Sequence, residues 1–244
     1  MKNEKFFIEY KDTRIFYSLT KSKRKTIGIK IDMNGEVKVS VPLRLSKKQI
    51  EEAIRGKADW IINKVNIIRE MNSNIIPRKF VSGEKLLCLG KEYTLKVVDR
   101  DITRPKVCMQ DDTISVYISA GLSGESRKQT VKEALIKWYR QYFSEVVNDR
   151  IEKYSLMMNA VPCKVFIKDQ KTRWGSCSVK GNINLNWRLI MAPVDIIDYV
   201  VVHELCHLKI MNHSKDFWLL VESVLPCYKE KRKWLKTYGY RLAI

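Results

Sequence analysis

The longest unbroken helical pattern in the chain begins at Ser123, and it limits what the rest can build. From there Val131, Leu135, Trp138, Tyr142, Val146 and Ile151 recur at helical spacing, which predicts one long helix ending near Asn159. Ahead of it the apolar residues come in short runs typical of strands. "FFIEY" and "RIFYSL" are aromatic and β-branched, and "KTIGIKIDMNGEVKVSVP" alternates on both sides of Asn34-Gly35. That dipeptide between alternating runs predicts a hairpin, closed at Pro42. Ser46 and Gln49 form a capping-box pattern before a helical segment over 46–72 that carries Ile50, Ile54, Trp60, Ile61, Val65 and Ile68. Gly56 is expected to break it. A polar stretch at 72–79 precedes four more strand-like runs, "KLLCLG", "EYTLKVV", "KVCM" and "TISVYI".

Beyond the long helix, "CKVFIKD", "TRWGSCS" and "NINLNWRLI" read as strands, with a turn at 180–182, and the remainder after Pro193 as helical. The expectation is an α+β fold. A β-rich N-terminal region, 1–122, carries one helical segment. A second half, 123–244, holds the long helix, a small antiparallel sheet and the C-terminal helices. Whether the halves share a core is left open, and no internal repeat is visible.

Charge narrows the partners without fixing them. The chain carries 46 Lys and Arg against 27 Asp and Glu, a net +19. Such a balance favours contact with phosphates, acidic polypeptides or anionic lipid, unless the charge is spread evenly as a solvating surface. No apolar run approaches the ~20 residues of a membrane span. The N-terminal "MKNEKFFIEYKD" is too charged for a secretory signal, so a cytoplasmic location and no membrane partner are expected. The six cysteines include no CxxC pair, which excludes a thiolate zinc knuckle and a thioredoxin-like motif. They are expected mostly as buried, unpaired small residues.

All three histidines, His203, His207 and His213, fall within eleven positions. Pro193 suits the first turn of a helix, Asp195 and Asp198 suit its positive end, and the segment is expected to run to about Met211. His203 and His207, four apart, then project from one face beside Glu204. This is H-E-x-x-H: two imidazoles for zinc and a carboxylate placed to take a proton from an activated water. A catalytic zinc needs a third protein ligand. His213 is favoured, in a turn where Asn212 tolerates a left-handed conformation and Ser214 caps the next helix. Glu222 on that next helix is the alternative. Imidazoles also hold nickel, cobalt or manganese, so zinc follows from the donor set and not from selectivity.

With these residues in view, "TRWGSCSVKGNINLNWRLIMAPVDIIDYVVVHELCHLKIMNHSKDFW" followed by "YKEKRKWLK" resembles the YgjP-like metal-dependent hydrolases, relatives of gluzincin-like and SprT/WLM-type metallopeptidases. The resemblance is strongest over 171–236. It extends more weakly to "SKRKTIGIKI", "GEVKVSVP" and "FVSGEKLLCLG". It implies a zincin-like catalytic half and a bound divalent metal. It implies the ligand pattern at His203, His207 and His213, and the catalytic carboxylate at Glu204. The glycine that follows the second histidine in metzincins is absent, since Lys209-Ile210 stands there.

Developing negative charge on a scissile carbonyl needs a donor. Arg173, Tyr199, Tyr228 and Tyr238 are the candidates, with Asn184 and Asn186 behind them. Arg173 sits in a strand that could border the metal helix, where an extended peptide could add. Trp174 and Trp187 are expected in the core, as are Cys177 and Cys206. A peptide or protein substrate is the leading expectation. The charge also admits a nucleotide phosphoanhydride, although no phosphate-binding Gly-rich loop is present. Nucleic-acid binding through the basic N-terminal region, including Lys21, Lys23, Arg24 and Lys25, is a third option.

Overall fold

Alternation in the first eight strands produces two four-stranded sheets in a computed structural model that describes residues 5–32, 35–73, 78–170 and 172–244. The first contains β1 (Lys5–Tyr10), β2 (Thr13–Ser22), β3 (Gly28–Ile31) and β4 (Val37–Pro42), in the order β1-β2-β4-β3. β1–β2 and β3–β4 are antiparallel, while β2–β4 is parallel. Ile31 faces Val37 across the expected hairpin; Asn34 lies outside the described residues, and Gly35 takes the turn at φ +78°.

On this sheet Ile15, Tyr17, Val37, Val39 and Val41 point inward at every second position. They meet Ile50, Ile54, Ala58 and Ile61 of α1 (Lys47–Arg55) and α2 (Ala58–Ser73). Both halves of the capping box form: Ser46 Oγ accepts from the Gln49 amide at 3.3 Å, and Gln49 Oε1 accepts from the Ser46 amide at 3.0 Å. The segment breaks at Gly56, as expected. Trp60 departs from expectation: it lies off the inward face and is half exposed. Residues 74–77 of the polar stretch lie outside the described residues.

The second sheet contains β5 (Lys85–Cys88), β6 (Lys91–Arg100), β7 (Lys106–Gln110) and β8 (Thr113–Ser119), in the order β5-β6-β8-β7. Its outer pairs are antiparallel and β6–β8 is parallel. The same order and strand senses thus occur twice, each time leading to a helix that begins after a serine, Ser46 or Ser123. The sequence shows no repeat; the topology contains one.

The chain forms two compact units, Met1–Pro77 and Arg78–Ile244. A cut near Leu122 is therefore displaced. The buried face of the second sheet (Leu86, Leu95, Ile114, Val116, Ile118) shares a core with α3 (Gly124–Met158), so dividing at 122 would expose both. The fully buried stripe of α3 is Val131, Leu135, Tyr139, Phe143 and Val147, a ladder of fours. Trp138, Tyr142, Val146 and Ile151 flank it, half-buried. Each buried member contributes about 1.5–3 kcal/mol. Asn159 ends α3 in the left-handed conformation, at φ 45°.

A three-stranded sheet follows, in the order β10-β11-β9, from β9 (Lys164–Lys168), β10 (Gly175–Cys177) and β11 (Asn182–Asn186). The expected antiparallel sheet is mixed: β10–β11 is a hairpin, but β11 runs parallel to β9. A 3₁₀ turn, Trp187–Met191, then leads to α4 (Val194–Cys206), α5 (Lys215–Val224) and α6 (Tyr228–Tyr238). Gly90, at φ +79°, fixes the entry to α4, because a Cβ there would lie 2.9 Å from the Pro193 Cα. No described helix is long and apolar enough to cross a membrane. All six cysteines are unpaired. Cys88 and Cys206 are buried, Cys108 and Cys177 half-buried, and Cys163 and Cys227 exposed, so fewer are interior than expected.

Candidate metal centre

α4 is apolar on nearly every side, with Ile196 through Val202 all buried. Such a helix belongs inside a core, packed here between α3, α5, α6 and β10. Its polar side chains therefore need partners or a purpose. Asp198 has partners. Arg150 clasps its carboxylate through Nε at 2.5 Å and Nη2 at 2.6 Å, and the Tyr154 hydroxyl donates at 3.0 Å. Asp195, in the first turn, pairs with Lys231. His203 and Glu204 are different: among the described residues, His203 Nδ1 and Glu204 Oε2 are buried without a hydrogen-bond partner.

The helix stops earlier than about Met211. It ends at Cys206 with His207 as C-cap, because Leu208 and Lys209 bond back three residues to the Leu205 and Cys206 carbonyls, both at 3.0 Å. His207 keeps helical dihedrals (φ −66°, ψ −17°), so the i, i+4 alignment with His203 survives. Asn212 is not left-handed; its Oδ1 accepts from the Ser214 amide at 3.1 Å, forming a side-chain turn. Ser214 caps α5 as expected, accepting from the Phe217 amide at 3.4 Å.

This turn returns His213 to the helix. The three imidazoles offer one nitrogen each, all within 4.8 Å of one another. Nε2 of His203 and Nε2 of His213 are 3.1 Å apart. Two nitrogens bound to one tetrahedral zinc would lie about 3.3 Å apart, from Zn–N distances near 2.0–2.1 Å. His207 Nδ1 is 3.0 Å from the Ile210 carbonyl oxygen, which can only accept. Nδ1 therefore carries a proton, and Nε2 is the nitrogen left to bind an ion, the arrangement that orients a ligating imidazole. Burial, then the neighbouring imidazoles and Arg232, push His203 down to about 3; burial also lowers His213. Neutral imidazoles are what a cation requires.

Phe217 floors the cluster, its ring 4.5, 4.8 and 5.0 Å from those of His207, His213 and His203. Glu222 is outside the histidine cluster and pairs with Lys229 at 3.1 Å. The donor set fits a divalent cation held by nitrogen.

Glu204 is 4% exposed, and its carboxyl presses on β10: a Cβ on Gly175 would lie 2.4 Å from Oε1. Glycine inside a strand marks such an approach, a signal present in the sequence. Burial pushes Glu204 up to about 8, opposed by the charge of Arg173. Arg173 is exposed and stands just before β10 instead of within it.

Tyr199 is buried, with its ring 5.9 Å from that of His203 and its hydroxyl pushed up to about 12 by burial. Tyr228 is turned into the core and stacks on Trp218 at 5.3 Å. Tyr238 packs on Trp234 at 5.6 Å. Asn184 bonds Ser176 at 3.3 Å. Asn186 is buried and donates to the carbonyls of Gln170 and Arg173 at 2.8 and 3.2 Å, so it supports the Arg173 segment from behind. Cys206 is in the core, its thiol pushed up to about 12 by burial, which removes it as a nucleophile.

A cavity of about 300 Å³ opens beside His203 and Glu204. Trp187 is in the core as expected, but Trp174 lines this cavity. Arg232, Leu235 and Lys236 form another part of its wall, which local sequence pattern did not single out.

Nitrogen donors on a core helix, a buried carboxylate beside them and an open cavity are the furnishings of a metal-dependent hydrolase. The comparisons with known proteins agree. A family model described as the YgjP-like metallopeptidase domain matches residues 25–238, and the chain belongs to the YgjP-like metallopeptidase family. It is thus a metal-dependent hydrolase of the peptidase class, and the family implies a divalent metal. No curated protein matches it. Among solved structures it is similar to the metallopeptidase zymogen of Pyrococcus abyssi abylysin, with 31% identity over 37% of this chain and 93% of that one, at a TM-score of 0.34.

Proposed function

We propose that the protein is a zinc peptidase whose metal is held by His203, His207 and His213, with Glu204 as general base. The observation that carries this is the convergence of three imidazole nitrogens within 4.8 Å beside a buried carboxylate oxygen that lacks a protein partner. When bound there, a divalent cation supplies Lewis acidity, making water easier to deprotonate near neutral pH and polarising a carbonyl.

The chain's own residues do the rest. Glu204 takes the proton of the attacking water and returns it to the leaving amine. A neighbouring cation favours its ionised form, against the burial that otherwise keeps it protonated. The Tyr199 hydroxyl retains its proton at neutral pH and can donate to the developing oxyanion, as can Arg173. Among the described residues β10 pairs with β11 alone, which leaves an edge for an extended peptide. A nucleotide substrate and a nucleic-acid delivery role, both admitted by the net charge, have no site observation in their favour.

The test is Glu204→Gln against a peptide panel. The variant is expected to keep its metal and lose at least about a hundredfold in turnover, the scale of a general base. Full activity in the variant would remove Glu204 from the mechanism.

A further inference from the structure

We propose that the cavity beside His203 selects a substrate carboxylate, gripped by Arg232 with Lys236 at the rim, within one residue of the scissile bond. The inference rests on the peptidase reading and names its substrate class.

The cavity is small and two-natured. Its volume of about 300 Å³ corresponds to roughly ten liquid waters, enough for one residue. Trp174, Val200 and Leu235 make it apolar, and Arg232 and Lys236 add two cations. Among the described residues Glu204 is the only carboxylate in its wall, and it is buried.

Arg232 is close to the reacting centre. It lines the same cavity as His203 and Glu204. Its guanidinium lies 4.7 Å over the Trp218 ring, and that ring lies 5.6 Å from His213 and 5.7 Å from His203. Stacking on an indole leaves the planar N–H fork free for two parallel bonds to a carboxylate. Of the other cations of α6, Lys229 pairs with Glu222 and Lys231 with Asp195, and Lys233 is not part of the cavity wall. Among the described residues no carboxylate forms an ion pair with Arg232 or Lys236. An anionic group entering the cavity meets two unneutralised cations, whereas a basic group meets repulsion.

The carboxylate could be an acidic side chain or the C-terminus of the peptide. Four N-acetylated tetrapeptides separate these sources: three alanines followed by Glu or Gln, each as free acid and as amide. Zinc-loaded Glu204→Gln protein would be titrated with each by tryptophan fluorescence, with and without Arg232→Gln. Wild type would be assayed for cleavage of the same set.

The expected result is binding of a carboxylate-bearing peptide about 10–100-fold tighter than its neutral counterpart, the scale of a charged hydrogen bond. Arg232→Gln should bring that ratio to within about threefold. A Glu-over-Gln preference assigns the side chain, and an acid-over-amide preference the C-terminus. Equal binding of all four peptides, or a preference that survives Arg232→Gln, overturns the inference whatever wild type cleaves. An Arg232-dependent preference without cleavage by wild type upholds it and counts against the peptidase reading instead.

Discussion

Replacing Gly175 by alanine isolates the placement of Glu204 from the binding of metal. The new Cβ would meet Glu204 Oε1 at 2.4 Å and its Cδ and Cγ at 2.8 Å, where ordinary contact begins near 3.4 Å. Relief therefore requires the carboxyl oxygen to move by about 1 Å and the carbons by about 0.6 Å, values that follow directly from those distances. The backbone at Gly175 is not in the left-handed region, so alanine adds bulk without adding backbone strain. The α4 backbone is held on all sides, so the side chain must yield. A misplacement of about 1 Å at a reacting group can cost about a hundredfold. The expected outcome is a kcat lowered roughly 10–100-fold, a KM changed by no more than a few fold, and an undiminished metal content, since no imidazole is touched. Steady-state kinetics on a cleaved peptide, beside elemental analysis and a melting curve, read all three. Unaltered kcat would refute the steric reasoning, and metal loss in step with activity would refute its separation from the ligands.

Two further outcomes are expected of stability. Asp198→Ala leaves the Arg150 guanidinium without its bidentate partner beside the core and should cost about 3 kcal/mol in urea unfolding; a loss below about 1 kcal/mol would contradict the role given to this pair. In the metal-free protein, Glu204 is raised to about 8 from 4.5, so its contribution is complete below about 4.5 and is lost as pH rises through 8. His203 is depressed to about 3 from 6.5, so its contribution is complete above 6.5 and is lost as pH falls through 3. The two slopes, each up to about 1.4 kcal/mol per pH unit, cancel between about 4.5 and 6.5 and leave an alkaline decline above that window. Chelator-treated Glu204→Gln should lack the alkaline decline, and the same decline in both proteins would contradict the assignment.

What the sequence disclosed was local. The i, i+4 spacing of His203 and His207, the Ser46–Gln49 box and the helix beginning after Ser123 are set within a few residues of each other, and each formed. Misreadings came where distant packing decides. The cut near Leu122 failed because the buried face of β8 and the stripe of α3 are complementary, a relation no short window contains. The doubled sheet was hidden because its mark is the parallel pairing of β2 with β4 and of β6 with β8, which joins strands that are not consecutive. At the site, the histidines announced themselves by spacing. Arg232, one cation in "YKEKRKWLK", carried no local sign that it borders a cavity with Trp174, some sixty residues earlier. Gly175 did carry one, since a glycine within a strand asks what comes close to it.

His203, His207 and His213 are proposed to form one metal site. Elemental analysis of protein purified without chelator and then incubated with zinc, beside His207→Ala and His213→Ala, tests it most directly. One metal per wild-type chain, with binding weakened in both variants, is the predicted result. No metal in wild type would contradict the claim outright, and full occupancy in His213→Ala would show that the third ligand lies elsewhere.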